Sequence, residues 1–159
     1  MTKFPWPVFP YRGIRGIDAS GGGGFGAPRG PNRTHPGLDC ITVPGDHILA
    51  LFAAPIARKG IAYTDDPSTP LDESDLGSLH LRSGRWWAQY LYLRPHRHLD
   101  TGDAVLAKDC IGIAQDRAQY AKSDMTNHVH IRLKWLNDEG IWTLMDPALY
   151  LTPPEDFDS

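Results

Sequence analysis

Leu79-His80-Leu81-Arg82-Ser83-Gly84-Arg85-Trp86-Trp87-Ala88-Gln89-Tyr90-Leu91-Tyr92-Leu93 is the stretch on which the fold turns. Ser83-Gly84 punctuates two runs of aromatic and branched residues, which is the signature of a β-hairpin. In the second run Trp87, Gln89, Leu91 and Leu93 alternate with Trp86, Ala88, Tyr90 and Tyr92, so the two sets are expected on opposite faces of a sheet. Downstream, Val129 to Trp135 and Ile141 to Met145 flank Asn137-Asp138-Glu139-Gly140 and read as a second hairpin. Upstream, Ile41-Thr42-Val43 runs into the turn Pro44-Gly45-Asp46, and Ile61-Ala62-Tyr63 follows the turn Lys59-Gly60. Residues 64–76 are acidic and rich in Ser and Pro, as in a solvated loop, and only residues 114–124 have room for a short helix. The fold class is therefore mainly β.

Composition agrees. The chain has 159 residues, the size of one domain. It contains 16 Gly and 14 Pro, which favours turns and short strands over a helical bundle. Lys and Arg number 16 against 19 Asp and Glu, a net charge of −3, so no basic excess drives nucleic-acid binding. No stretch approaches the roughly 18 apolar residues of a membrane span. Met1 to Pro10 carries prolines at 5, 7 and 10 and lacks a continuous apolar run, so it does not read as a secretory signal. Two cysteines, Cys40 and Cys110, are too few for a thiolate metal site; they either pair in an oxidising compartment or stay as small buried free thiols, the reading preferred here. Ser20 to Gly26 is a glycine-rich loop, but Pro28, Pro31 and Pro36 follow where a dinucleotide site needs a helix. A monomer is the default oligomeric state.

A short internal repeat is present. Gly45-Asp46-His47-Ile48-Leu49-Ala50 and Gly102-Asp103-Ala104-Val105-Leu106-Ala107 both read G-D-x-[I/V]-L-A, a tight turn feeding a strand, and suggest a duplicated β-motif.

Chemistry concentrates in the histidines. His128 and His130 form H-x-H, and on a strand positions i and i+2 share a face. His35 and Asp39 form H-x-x-x-D across Pro36-Gly37, which forbids a helix and leaves a turn running into a strand. Alone, either pattern is commoner on a polar sheet face or by chance than in a metal site. Together in one small β-domain they supply imidazoles and a carboxylate, the donor types of a catalytic zinc site.

The flanks of these pairs resemble the lysostaphin/LytM-type zinc metallopeptidases. Phe25-Gly26-Ala27-Pro28-Arg29 followed by Arg33-Thr34-His35-Pro36-Gly37-Leu38-Asp39 is similar to that family's opening F-G-x-x-R…H-x-G-x-D. Gly102-Asp103-Ala104-Val105 with Ile111-Gly112 resembles its G-D-x-V…I-G turn, His128-Val129-His130-Ile131 its H-L-H-F strand, and Asp146-Pro147-Ala148-Leu149-Tyr150-Leu151 its closing D-P-x-x-Y-L. The resemblance covers residues 25–151. It leaves 1–24 as an N-terminal extension with the glycine-rich loop and 152–159 as an acidic tail.

The resemblance implies an antiparallel domain of the duplicated hybrid motif (barrel-sandwich hybrid), with long loops around a groove. It implies one Zn2+ held by His35, Asp39 and His130, with His128 as a catalytic histidine off the metal. It also implies hydrolysis of peptidoglycan stem or cross-link peptides, acting in the periplasm or cell wall; with no signal peptide, that suits a phage-encoded or virion-associated protein or one exported by other machinery. One position departs from the pattern. The family has Y-x-H-L on its central strand, and Tyr90-Leu91-Tyr92-Leu93 places Tyr92 where that histidine stands. A tyrosine donates a hydrogen bond to an oxyanion but is a poor base at neutral pH. His96 and His98, nearby, are the other candidates for the missing imidazole. Three functions follow: a zinc endopeptidase of the cell wall using His128 and Tyr92, a catalytically impaired domain that keeps zinc and binds, activates or builds, or a peptidase acting on an ordinary protein.

Overall fold

The computed structural model describes residues 2–63, 71–121 and 123–154. The protein is mainly β, as expected, with three 3-10 turns at Glu73–Asp75, Ala118–Tyr120 and Pro147–Leu149 and no longer helix among the described residues. Residues 64–70 of the acidic loop and 155–159 of the tail lie outside the described residues. Among the described residues of 114–124, where the sequence left room for a helix, the helical element is the turn at Ala118–Tyr120.

A seven-stranded antiparallel sheet organises the molecule. Its order is Ala104–Val105, Ala54–Ile61, Gly77–Ser83, Trp86–Leu91, His128–Leu136 and Trp142–Met145, with Leu38–Ile41 also paired to His128–Leu136. A four-stranded sheet places Leu93–Pro95, Cys110–Ala114, His47–Leu49 and Val8–Phe9 side by side. Both expected hairpins are present. Ser83 pairs with Trp86 across a two-residue loop in which Gly84 takes φ 57°, and Leu136 pairs with Trp142 across Asn137 to Ile141.

Alternation decides which face is buried. Leu38 and Cys40, Val129, Ile131 and Leu133, Ala88 and Tyr90, and Leu79 and Leu81 form one core. The Tyr90 hydroxyl is satisfied there by the Leu49 carbonyl and the Leu51 N–H. Trp86 packs edge-on against Phe4 and Tyr150, and Trp87 points to the other face, where its indole N–H donates to His80 Nδ1. Phe4, Trp6 and Val8 also belong to this core, and Phe4–Pro5 pairs in parallel with Leu151–Thr152.

The alternation fails at one residue. Tyr92 has φ 75°, and there the strand Trp86–Leu91 breaks before Leu93–Pro95 begins. Leu91 and Tyr92 consequently pack together with Leu76, while Tyr90 and Leu93 both enter the main core. The expected grouping of Tyr92 with Tyr90, and of Leu93 with Leu91, is thus corrected. One left-handed residue shifts the phase of the strand by one and turns Tyr92 to the side of Leu91.

The repeat is a structural duplication. In one copy Gly45 N–H donates to Ala114 O and Ala114 N–H to Asp46 O; in the other Gly102 N–H donates to Ile56 O and Ile56 N–H to Asp103 O, all at 2.8 Å. Gly45 and Gly102 each have φ 95°. Asp46 and Asp103 each accept, through a carboxylate oxygen, from the N–H three residues back at 2.8 Å.

Candidate metal centre

Register brings the centre together. His130 lies directly between Asp39 on one neighbouring strand and Leu91 on the other, so these three side chains share the face opposite the core. His128 shares that face two residues earlier. His35 enters from the turn that precedes Leu38–Ile41. Its Nε2 lies 3.1 Å from Asp39 Oδ1 and 3.0 Å from His130 Nδ1, and His130 Nδ1 lies 2.9 Å from Asp39 Oδ1. These separations approach the edge of a tetrahedron with zinc-like bonds of 2.0–2.1 Å, about 3.3 Å. All three residues are buried.

The surroundings orient each donor. His35 Nδ1–H donates to Gly24 O at 3.0 Å, which leaves Nε2 with a lone pair directed at the centre. Among the described residues the polar contacts of His130 are all on its Nδ1 side, since Nε2 is buried without a partner. Asp39 offers Oδ1 to the histidines, while its Oδ2 accepts from Arg15 Nη1 at 2.8 Å. Arg15 is itself clamped by both oxygens of Asp18 and by Gly21 O. This donor set fits a zinc ion: two imidazoles, one carboxylate, and a hydrogen bond behind His35 and behind Asp39.

Four successive glycines supply carbonyls to the site. Gly21 O accepts from Arg15, Gly22 O from Arg29, Gly23 O from the Asp39 N–H and Gly24 O from His35. Gly37 is required by space, because a Cβ there would sit 2.3 Å from Ile131 O and 2.7 Å from His130 Nε2.

Charge follows burial and these contacts. Burial opposes ionisation of Asp39, yet hydrogen bonds from His130 and His35 outweigh it and hold the carboxyl well below the usual carboxylate range. Burial lowers the pKa of His130, against its bond to Asp39. His128 is pushed down to about 4, by burial first and against the attraction of Asp39, so it is neutral at pH 7. Its Nδ1–H donates to Thr126 O at 2.8 Å, and its Nε2, the accepting nitrogen, stands 3.4 Å from Asp39 Oδ2.

Tyr92 lies edge-on to His128 with ring centroids 5.3 Å apart. Its hydroxyl is hydrogen-bonded to that of Tyr63, and burial followed by the Tyr63 contact pushes its pKa up. The Arg117 guanidinium lies over both rings. His35, Asp39, His128, His130, Tyr92 and Tyr63 all line one cleft of about 280 Å3. His96 and His98 are exposed and absent from its lining, and His96 contacts Cys110 instead. Cys40 and Cys110 are both free thiols. A larger groove of about 560 Å3, between Phe4, Trp6, Phe9 and Lys108, contains none of the histidines. Motif spacing did not single out Arg15, Tyr63, Arg117 or the carbonyl role of Gly24.

Comparison with solved structures identifies the architecture. Csd3 from Helicobacter pylori superposes with TM-score 0.62 at 14% identity, covering 95% of this chain and 33% of that one. The catalytic domain of the antimicrobial peptidase lysostaphin from Staphylococcus simulans superposes with TM-score 0.54 at 20% identity, over 81% and 89% of the two chains. The chain has the fold of a lysostaphin-type peptidase domain. A mutant catalytic domain of the prophage-encoded M23 protein EnpA from Enterococcus faecalis agrees, with TM-score 0.54 and 17% identity over 91% and 95%. The chain spans about a third of the length of Csd3. No protein-family model and no curated protein sequence matches it. No helix among the described residues is long and apolar enough to cross a membrane.

Proposed function

We propose that the protein is a zinc metalloendopeptidase that hydrolyses peptidoglycan stem or cross-link peptides and works at the cell wall. The observation that carries this reading is the convergence of His35 Nε2, Asp39 Oδ1 and His130 Nδ1, each within 4.8 Å of the others, in the wall of a cleft. The likeness in fold to the catalytic domain of lysostaphin supports it.

His35, Asp39 and His130 would hold the metal, which supplies a Lewis acid able to polarise a scissile carbonyl and acidify a water. Arg15 keeps Asp39 aimed, using the oxygen that His35 and His130 do not. Neutral His128, with its proton fixed on Nδ1 by Thr126, presents Nε2 as a proton acceptor. Tyr63 and Tyr92 share one hydrogen bond, so one of the two hydroxyl protons stays free to donate to an oxyanion at the cleft wall.

A second reading has a specific observation behind it. Tyr92 is buried against His128 and bonded to Tyr63, which also suits a domain that retains zinc and binds wall material without cutting it. Measuring zinc content together with peptidoglycan digestion separates the two. Release of peptide fragments by the zinc-loaded protein, abolished by a chelator, supports the peptidase. Full zinc occupancy without fragments overturns it in favour of the binding domain.

A further inference from the structure

Four arginines line the cleft, and they differ in their state. Arg15 is engaged by Asp39, Asp18 and Gly21 O. Arg29 is engaged by the carbonyls of Pro28 and Gly22. Arg117 is only 9% exposed, and its Nε and Nη1 are buried with no hydrogen-bond partner among the described residues. Among the described residues its ion pair is with Glu73, 3.9 Å from Nη2 and too far for a hydrogen bond, and it also interacts with the Tyr92 hydroxyl. Arg132 follows His130 by two residues on the same face of the strand, and its Nε is likewise buried without a partner.

Unpartnered buried guanidinium donors are costly and are kept where a ligand completes them. Both arginines border the cleft that contains the metal-site residues, so an anionic group entering there meets two guanidinium groups with donors that no described residue uses. A guanidinium fork matches a carboxylate bidentately. We propose that Arg117 and Arg132 form a carboxylate-recognition site beside the metal centre, selecting peptides that carry a free carboxylate within a residue or two of the bond presented to it. The carboxylate comes either from the end of the peptide or from an acidic side chain. That the ligand is a peptide rests on the peptidase reading above.

The test uses the whole chain and four labelled tetrapeptides: a neutral one with an amidated end, one with a free C-terminal carboxylate, one amidated but carrying a glutamate, and one with both acids. Binding is read by fluorescence anisotropy with the metal chelated, so that a carboxylate cannot report zinc ligation. The acidic peptides bind about 10- to 100-fold more tightly than the neutral one, as expected for hydrogen bonds to charged groups. Which single acid suffices identifies the source. Arg132→Gln reduces the preference to about twofold or less, and so does Arg117→Gln. Because Arg117 packs on Tyr63 and Tyr92, the Arg132 variant carries the test if the other fails to fold. Equal binding of acidic and neutral peptides by the wild type overturns the proposal, as does a preference that Arg132→Gln leaves intact. Cleavage of the same peptides by the zinc-loaded chain is scored separately. A carboxylate preference without cleavage overturns the peptidase reading alone, and cleavage without a preference overturns the carboxylate site alone.

Discussion

Gly37→Ala tests the geometry of the centre without replacing a proposed ligand. The added methyl would lie 2.3 Å from the Ile131 carbonyl and 2.7 Å from His130 Nε2, where real Cβ contacts below 3.0 Å are essentially never seen. The carbonyl is part of the sheet, so the turn from His35 to Leu38 must retreat, or the His130 ring must tilt. Overpacking of this kind costs about 1–3 kcal/mol, and in a domain of this size 1 kcal/mol moves Tm by about 2–4 °C, so the apo protein should melt about 2–12 °C lower. Metal sites tolerate about 0.2 Å in ligand distance, so zinc affinity should fall at least as far as it does on loss of an outer-shell partner, about 10- to 100-fold. Thermal unfolding with and without zinc, together with competition against a chromophoric chelator, measures both effects. Gly24→Ala is the control: it keeps the carbonyl that holds His35, and a Cβ there meets nothing within 4 Å. A Gly37→Ala protein with wild-type Tm and wild-type zinc affinity would refute the packing of the turn against His130, and with it the convergence of donors on which the site rests.

The remaining predictions concern roles and protonation. Asp39→Asn and His130→Ala should each lose zinc by elemental analysis, since three protein ligands are the usual complement of a catalytic zinc site; undiminished zinc in either variant contradicts the assignment. His128→Ala should keep zinc and lose about 10²–10⁴-fold in kcat, as for a general acid–base group, and a fully active variant removes His128 from the mechanism. Tyr92→Phe should lower kcat about 10²–10³-fold with little change in KM if its hydroxyl serves an oxyanion; an unchanged kcat makes Tyr92 a packing residue. His80 is held at a pKa of about 4, by burial first and then by Arg58, Lys134 and Arg132, and its Nδ1 accepts from Trp87. The unfolded chain therefore binds the extra proton first as pH falls, so this contribution to stability is full above about pH 6.5 and is lost between about 6.5 and 4. His80→Gln should reduce the pH slope of urea-unfolding stability across that window, leaving the part that His128 contributes, and an unchanged pH slope counts against the neutral, buried histidine.

Much of the strand layout was legible because its signals are local. Alternation around Trp86–Leu91, the glycine at the hairpin turn and the H-x-H pair each act over a few residues, and the twofold G-D turn recurs with the same hydrogen bonds in both copies. What was not legible depends on long-range contacts. Arg15 meets Asp39 across 24 positions of chain, and nothing in Ile14-Arg15-Gly16 announces it. Tyr63 and Arg117 reach Tyr92 from separate loops. The alternation rule failed at Tyr92 because it assumes that every residue of a strand is extended. A single positive φ reverses the facing, and in this chain that reversal is what puts a tyrosine beside His128 in place of the core.

The glycine run shows the same limit from the other side. Read along the chain, Ser20 to Gly26 is a loop of no stated purpose at the edge of a domain. In space, the carbonyls of Gly21, Gly22, Gly23 and Gly24 each accept from a residue that lines the metal cleft. A loop that offers backbone acceptors to buried partners must lie close against them, and side chains stand in the way: a Cβ on Gly23 would sit 2.5 Å from both Arg15 Cβ and Arg15 O. The consequence reaches the chemistry through one bond. Gly24 O fixes the proton of His35 on Nδ1, and only then is Nε2 a donor to the centre. The glycines thus set the tautomer of one proposed ligand and, through Arg15, the aim of another. That couples the order of a seemingly featureless loop to metal affinity.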